Sequence, residues 1–137
     1  MNSRSILAAA AICLGGAIGL AAPALSDGPV FKGTFLLVTQ DGSTNTWVVT
    51  PCGAGCAHVV SDTGLDIDAR LTDGQWTFTY THPTGWDCED GTDAPATRGV
   101  SVDAATLQGT VTQGPDNVCG ETDVVDDPFT FSLNQIG

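Results

Sequence analysis

Leu65-Asp66-Ile67-Asp68-Ala69-Arg70-Leu71-Thr72-Asp73-Gly74-Gln75-Trp76-Thr77-Phe78-Thr79-Tyr80 decides how this chain is read. In the first half Leu65, Ile67, Ala69 and Leu71 alternate with Asp66, Asp68, Arg70 and Thr72. In the second half Trp76, Phe78 and Tyr80 alternate with Thr77 and Thr79. A period of two places the apolar residues on one face of a strand and the polar residues on the other. Asp73-Gly74 joins the halves, and Asp-Gly is a two-residue hairpin turn because both positions accept positive φ. The stretch therefore predicts an antiparallel hairpin with one buried face and one wet face.

Working outward, the same period recurs. Val30 to Gln40 carries Phe31, Phe35 and Leu37 on one parity, and Asp41-Gly42 follows as a turn. Asn45 to Thr50 carries Trp47 and Val49 and stops at Pro51. Ala57 to Ser61 follows the Cys52-Gly53-Ala54-Gly55-Cys56 turn. Downstream, Gly99 to Val102 and Thr106 to Gln113 flank Asp103-Ala104-Ala105. A last strand carries Phe129, Phe131 and Leu133 on one face. His82 to Thr97 and Gln113 to Asp127 are rich in Pro, Gly and Asp and read as two polar loops. No segment beyond the N-terminus has helical periodicity. The fold expected is all-β: a small antiparallel up-and-down barrel of about eight strands, which removes its own edges. A two-sheet sandwich is the alternative.

The N-terminus reads differently. Met1 to Arg4 is polar with one positive charge, and Ile6 to Leu20 is an unbroken run of 15 apolar or Gly residues. Ala22-Pro23-Ala24 and Ala24-Leu25-Ser26 offer small-residue cleavage patterns, so residues 1–26 read as a secretory signal peptide and 27–137 as the exported domain. The apolar run falls short of the roughly 20 residues a spanning helix needs, so no stable membrane anchor is expected. Cys13 lies within the run and would be removed. Ala10 and Ile12 do not match the pattern of a lipidated cysteine.

Cleavage leaves Cys52, Cys56, Cys88 and Cys119, an even number in a small exported domain, which points to disulfides. Three pairings are possible. Cys52–Cys56 with Cys88–Cys119 is favoured, because the glycine-rich turn brings its own ends together. Zinc is the rival, but C-x3-C is not a usual zinc spacing.

The whole chain has 16 acidic and 4 basic residues, a net charge of −12 at pH 7; loss of Arg4 leaves Lys32, Arg70 and Arg98 and a net charge of −13. Such a surface repels nucleic acid, which is excluded as a partner.

Trp47-Val48-Val49-Thr50-Pro51-Cys52-Gly53-Ala54-Gly55-Cys56-Ala57-His58-Val59 resembles a segment of small secreted mycobacterial proteins. It is similar also to the disulfide-containing extracytoplasmic region of some mycobacterial serine/threonine protein kinases. The resemblance continues through Ala69-Arg70-Leu71, Gly74-Gln75-Trp76, Cys88-Glu89-Asp90-Gly91, Thr106 to Val111, Cys119 and Phe131 to Leu133. It implies secretion, two disulfides and a β-rich domain, and it implies no activity. The sequence contains no kinase segment, so a kinase-linked sensor role is not implied.

Candidate chemistry is sparse. The loop Asp87-Cys88-Glu89-Asp90-Gly91-Thr92-Asp93 suggests an irregular calcium site through Asp87, Glu89, Asp90 and Asp93, but it fails the EF-hand pattern at Gly91 and Arg98. Asp123, Asp126 and Asp127 would join it if Cys88 and Cys119 are bonded. His58 and His82 are the two histidines, without a Gly-x-Ser-x-Gly motif. No cofactor is called for. Trp76, Phe78 and Tyr80 either fill the core, the favoured reading, or line a cavity. Trp86 reads as an exposed aromatic able to anchor a partner. The function expected is a non-catalytic binding or interaction module for an extracellular protein. A carrier of a small apolar ligand is the alternative, and a hydrolase ranks third.

Overall fold

A computed structural model describes residues 29–137, so the expected signal segment and Cys13 lie outside the described residues. The chain forms eight strands: β1 (Gly33–Thr39), β2 (Thr44–Gly53), β3 (Cys56–Ser61), β4 (Asp66–Thr72), β5 (Gln75–Asp87), β6 (Asp93–Asp103), β7 (Gln108–Val118) and β8 (Glu121–Gln135). Each pairs antiparallel with the next, and β1 also pairs with β8, closing the sheet into an up-and-down barrel. The barrel expectation therefore holds, and the sandwich does not.

Alternation sets which residues face inward. Phe35 and Leu37 of β1, Trp47 and Val49 of β2, Ala57 and Val59 of β3, and Ala69 of β4 are buried. So are Trp76 and Phe78 of β5, Val100 and Val102 of β6, Val111 of β7, and Phe131 and Leu133 of β8. Asp66, Asp68, Arg70 and Thr72 face solvent, as the opening hairpin predicts. Its turn takes positive φ at both Asp73 (51°) and Gly74 (79°), the geometry whose twist matches the flanking strands. One glycine has a packing role: Gly109 lies opposite Phe131, and a Cβ there would fall inside the Phe131 ring.

In an up-and-down barrel alternate turns lie at opposite ends. The end holding the β2–β3, β4–β5 and β6–β7 turns is plugged by aromatics. Phe31 stacks at 5.2 Å from Phe35 and 5.6 Å from Trp76, ring centre to ring centre. Above them Trp47 lies 5.9 Å from Phe78 and 5.7 Å from Phe131.

Both expected disulfides form, Cys52–Cys56 across the β2–β3 turn and Cys88–Cys119 between distant hairpins. The two polar loops are a correction. His82 to Thr97 is the far end of the β5–β6 hairpin, and Gln113 to Asp127 is the far end of β7–β8. Pro83, Pro95, Pro115 and Pro128 sit in strands whose register shifts at bulges, positions that tolerate a missing N–H. The second hairpin turns on Cys119 (φ 56°) and Gly120 (φ 75°), a two-residue turn equivalent to Asp73-Gly74. Strands β5 to β8 therefore run 11 to 15 residues, and Cys88–Cys119 ties the two hairpin tips together.

Two stability outcomes follow from this packing. Gly109→Ala should destabilise by about 1–3 kcal/mol through overpacking against Phe131; an unchanged urea midpoint would contradict the assigned register. Removing Cys88–Cys119 by paired serine substitution should cost about 3–4 kcal/mol, against about 2 kcal/mol for Cys52–Cys56, because it closes the longer loop. Equal losses in urea unfolding would refute the loop-closure account.

Candidate functional site

The opposite end of the barrel is open. There the inward faces of β1, β2, β5, β6, β7 and β8 line a cavity of about 670 Å³. Trp47, Phe78 and Phe131 form its floor, and Leu37, Val100, Val111 and Phe129 its walls. The β3–β4 turn, through Thr63 and Leu65, and Ile67 at the start of β4 line one side of the mouth. Trp76 and Phe78 are buried in the core, with Phe78 at the cavity floor, whereas Tyr80 is partly buried and lines the cavity. The reason is strand length. Strands β3 and β4 have 6 and 7 residues, whereas β5 to β8 continue past them, so Tyr80 and Arg98 have less wall to pack against.

Polar groups enter the cavity from the long strands. Tyr80 and Arg98 line it, and Gln113 lies beside Arg98 on β7 with the same inward parity as Phe78, Val100 and Val111. Gln113 is buried, and both ends of its amide are hydrogen-bonded. Its Oε1 accepts from Arg98 Nε at 2.6 Å, and its Nε2 donates to the Gly85 carbonyl at 2.9 Å. On the β2 side the Asn45 side chain lines the same cavity. Mostly apolar walls with a few converging polar groups, in a volume of a few hundred Å³, are the usual makeup of a small-molecule site.

Trp86 lies elsewhere and is half-buried instead of exposed. Its Nε1 donates to Asp116 at 2.9 Å, and the same carboxylate accepts from the Thr97 backbone N–H at 2.9 Å and the Thr97 hydroxyl at 2.7 Å. These bonds, that of the Thr97 N–H foremost, lower the Asp116 pKa. Trp86 is thereby a strut between the two long hairpins.

Among the described residues the acidic hairpin tips bring no three carboxylates within reach of one another. Cys88–Cys119 draws them together, yet Asp87, Glu89, Asp90, Asp93, Asp123, Asp126 and Asp127 all stay exposed. Asp90 turns onto its own loop, accepting from the Thr92 N–H at 3.0 Å and the Thr92 hydroxyl at 2.6 Å, which lowers its pKa. Among the described residues the one trio of ligand-type groups within reach of one another is Cys52, Cys56 and Asp68. Its sulfurs are joined to each other, so it offers no thiolate.

His58 projects from the outer face of β3 between two carboxylates of β4. Nδ1 meets Asp68 Oδ1 at 2.6 Å, and Nε2 meets Asp66 Oδ1 at 2.8 Å. Both ring nitrogens are engaged by carboxylates, so neither is placed to deprotonate a hydroxyl. The Asp68 hydrogen bond is the main cause raising the His58 pKa above 6.5, with Asp66 adding to it. His82 instead accepts from the Thr84 N–H at 3.2 Å beside the cavity mouth.

No protein-family model, curated protein or solved structure matches the chain.

His58 gains affinity for its proton on folding, so its contribution is complete below 6.5 and fades as pH rises through the higher folded value. Asp116 and Asp90 bind protons less tightly when folded, so theirs is complete above 3.8 and fades as pH falls. Between 3.8 and 6.5 both contributions are present. His58→Gln should therefore narrow its stability deficit against the parent protein as pH is raised above 6.5. A deficit that is constant with pH, or a His58 ring titrating below 6.5 by NMR, would refute the carboxylate clamp.

Proposed function

We propose that this is an exported, non-catalytic barrel that binds one small, largely apolar molecule in its open end. The single observation that carries the reading is the aromatic-floored cavity of about 670 Å³. An eight-stranded barrel has an interior just wide enough to be filled by side chains or to hold one small ligand, and this chain fills one end and leaves the other open. The reading ranks above a docking module because Trp86, the aromatic that would anchor a partner, is tied into the wall by Asp116. It ranks above a hydrolase because His58 is clamped between carboxylates on the outer face.

Export belongs to the same proposal. Two disulfides in a small β domain, with no helix among the described residues long and apolar enough to cross a membrane, are compatible with an extracellular protein. The N-terminal signal-like segment and the resemblance of Trp47 to Val59 to secreted mycobacterial domains support export and add no activity.

The test is a titration of the purified, disulfide-intact protein with Nile red, a neutral apolar dye whose emission shifts when it leaves water. Saturable binding of one dye per chain is expected. Val111→Phe, which grows a ring into the cavity, should weaken it by about tenfold or more while the fold persists. Absence of saturable binding, or full affinity in a folded Val111→Phe variant, would overturn the reading.

A further inference from the structure

The cavity is not purely apolar, and its polar groups are unevenly satisfied. Of the described basic residues, Lys32 and Arg70 are exposed, while Arg98 is half-buried and faces inward. Its Nε–H is used by Gln113, which is itself fixed by Gly85. Among the described residues neither terminal nitrogen of the guanidinium has a hydrogen-bond acceptor, and no carboxylate lies within ion-pair distance. This holds in a chain with 16 acidic residues. An arginine that needed only charge balance has partners in abundance on the outer face. Held by its Nε alone, Arg98 keeps its two-pronged edge for something else.

A second observation comes from the opposite wall. The Asn45 Oδ1 atom is buried without any hydrogen-bond partner, and Asn45 lines the same cavity. Buried polar atoms are almost always paired, and the Asn45 amide keeps bonding capacity to spare at this wall. Rotation of the amide presents either an acceptor or a donor there.

Resting on the ligand-site reading above, we propose that the occupant is an amphipathic carboxylate, its head group held by the Arg98 fork and its apolar body lying over Trp47, Phe78 and Phe131. The guanidinium edge matches a carboxylate with two parallel hydrogen bonds. The body then crosses from β6 towards β2 over the aromatic floor. A singly charged head fits better than a doubly charged phosphate. The site supplies one inward guanidinium, and no lysine or second arginine lines the cavity. The acidic exterior slows approach of any anion, but at physiological salt that repulsion is screened beyond about 8 Å. The paired head group is then read locally.

The experiment compares dodecanoate, dodecan-1-ol and dodecyl phosphate as competitors of Nile red on the full protein. Dodecanoate should displace the dye about tenfold to a hundredfold more effectively than the alcohol, the range of a charge-assisted hydrogen-bonded pair. It should also outcompete the phosphate. Arg98→Gln should erase the preference for the carboxylate, read as the ratio of dodecanoate to dodecan-1-ol displacement within that same variant. Arg98→Lys should restore only part of it, since it keeps the charge and loses the fork. Equal displacement by carboxylate and alcohol would overturn the head-group assignment and leave the apolar-carrier reading standing. A phosphate preference would likewise overturn it. Failure of Nile red and all three competitors to bind would overturn both. The comparison within the parent protein decides the matter even if an Arg98 variant does not fold.

Discussion

Pairing of the first strand with the last is the constraint on which the rest depends. β1 is bonded to β8 from Phe35 opposite Gln135 to Thr39 opposite Phe131. The backbone bonds of Thr34 with Ile136 and Gly137 extend the seam. With the seam closed, every strand has two neighbours and no edge is left to aggregate. Closure also makes inside and outside absolute. A residue's parity along its strand then decides whether it joins the aromatic stack or meets solvent, and a one-residue slip would turn the stack outward. Residues as far apart as Phe35 and Gln135 must pair for this to happen, so much of the stability is non-local. The two disulfides act on shorter loops and reinforce a topology that the seam defines.

The closed ring is uneven in height. Phe31, entering from before β1, and Trp76, at the start of β5, plug the end where the short strands are complete. At the other end β5 to β8 rise above β3 and β4 as two long hairpins, braced by Trp86 on Asp116 and by Cys88–Cys119. This unevenness creates the cavity. A ring of equal strands with the same aromatics would be solid, whereas here the inward residues of the tall wall face open space. The bracing matters because those upper arms have few fully buried residues, Ala96 and Gln113 among them, to hold them by apolar packing.

The legible part of the fold follows the same division. Wherever a strand has a buried face against the ring, alternation reports it, as in Leu65 to Leu71 and Trp76 to Tyr80, and Asp73-Gly74 marks the turn between them. The upper arms carry no such record. Their outward and inward residues are nearly all polar, Pro and Gly occupy bulges, and the sequence looks like loop although the backbone is paired. Cys119-Gly120 is a two-residue turn with positive φ at both positions, but a cysteine before glycine reads as a disulfide position before it reads as a turn. Of the site, the aromatics Phe78 and Tyr80 were legible as inward-facing, while the space before them was not, because cavity volume depends on relative strand heights. Arg98 was the most obscure. Its inward parity becomes visible only once Pro95 to Thr97 is known to be strand, and its spare donors only once Gln113 is placed beside it.

The central claim is that the open end, and no other surface, takes a small apolar molecule. Methyl-resolved NMR of the protein with and without a neutral apolar ligand tests it most directly. The account predicts that shifts concentrate on Leu37, Leu65, Ile67, Val100 and Val111, which line the cavity, while the fully buried Val59 and Val102 beneath it stay unmoved. Shifts confined to the exposed outer pair Val48 and Val60, or none on the cavity methyls at saturating ligand, would contradict it.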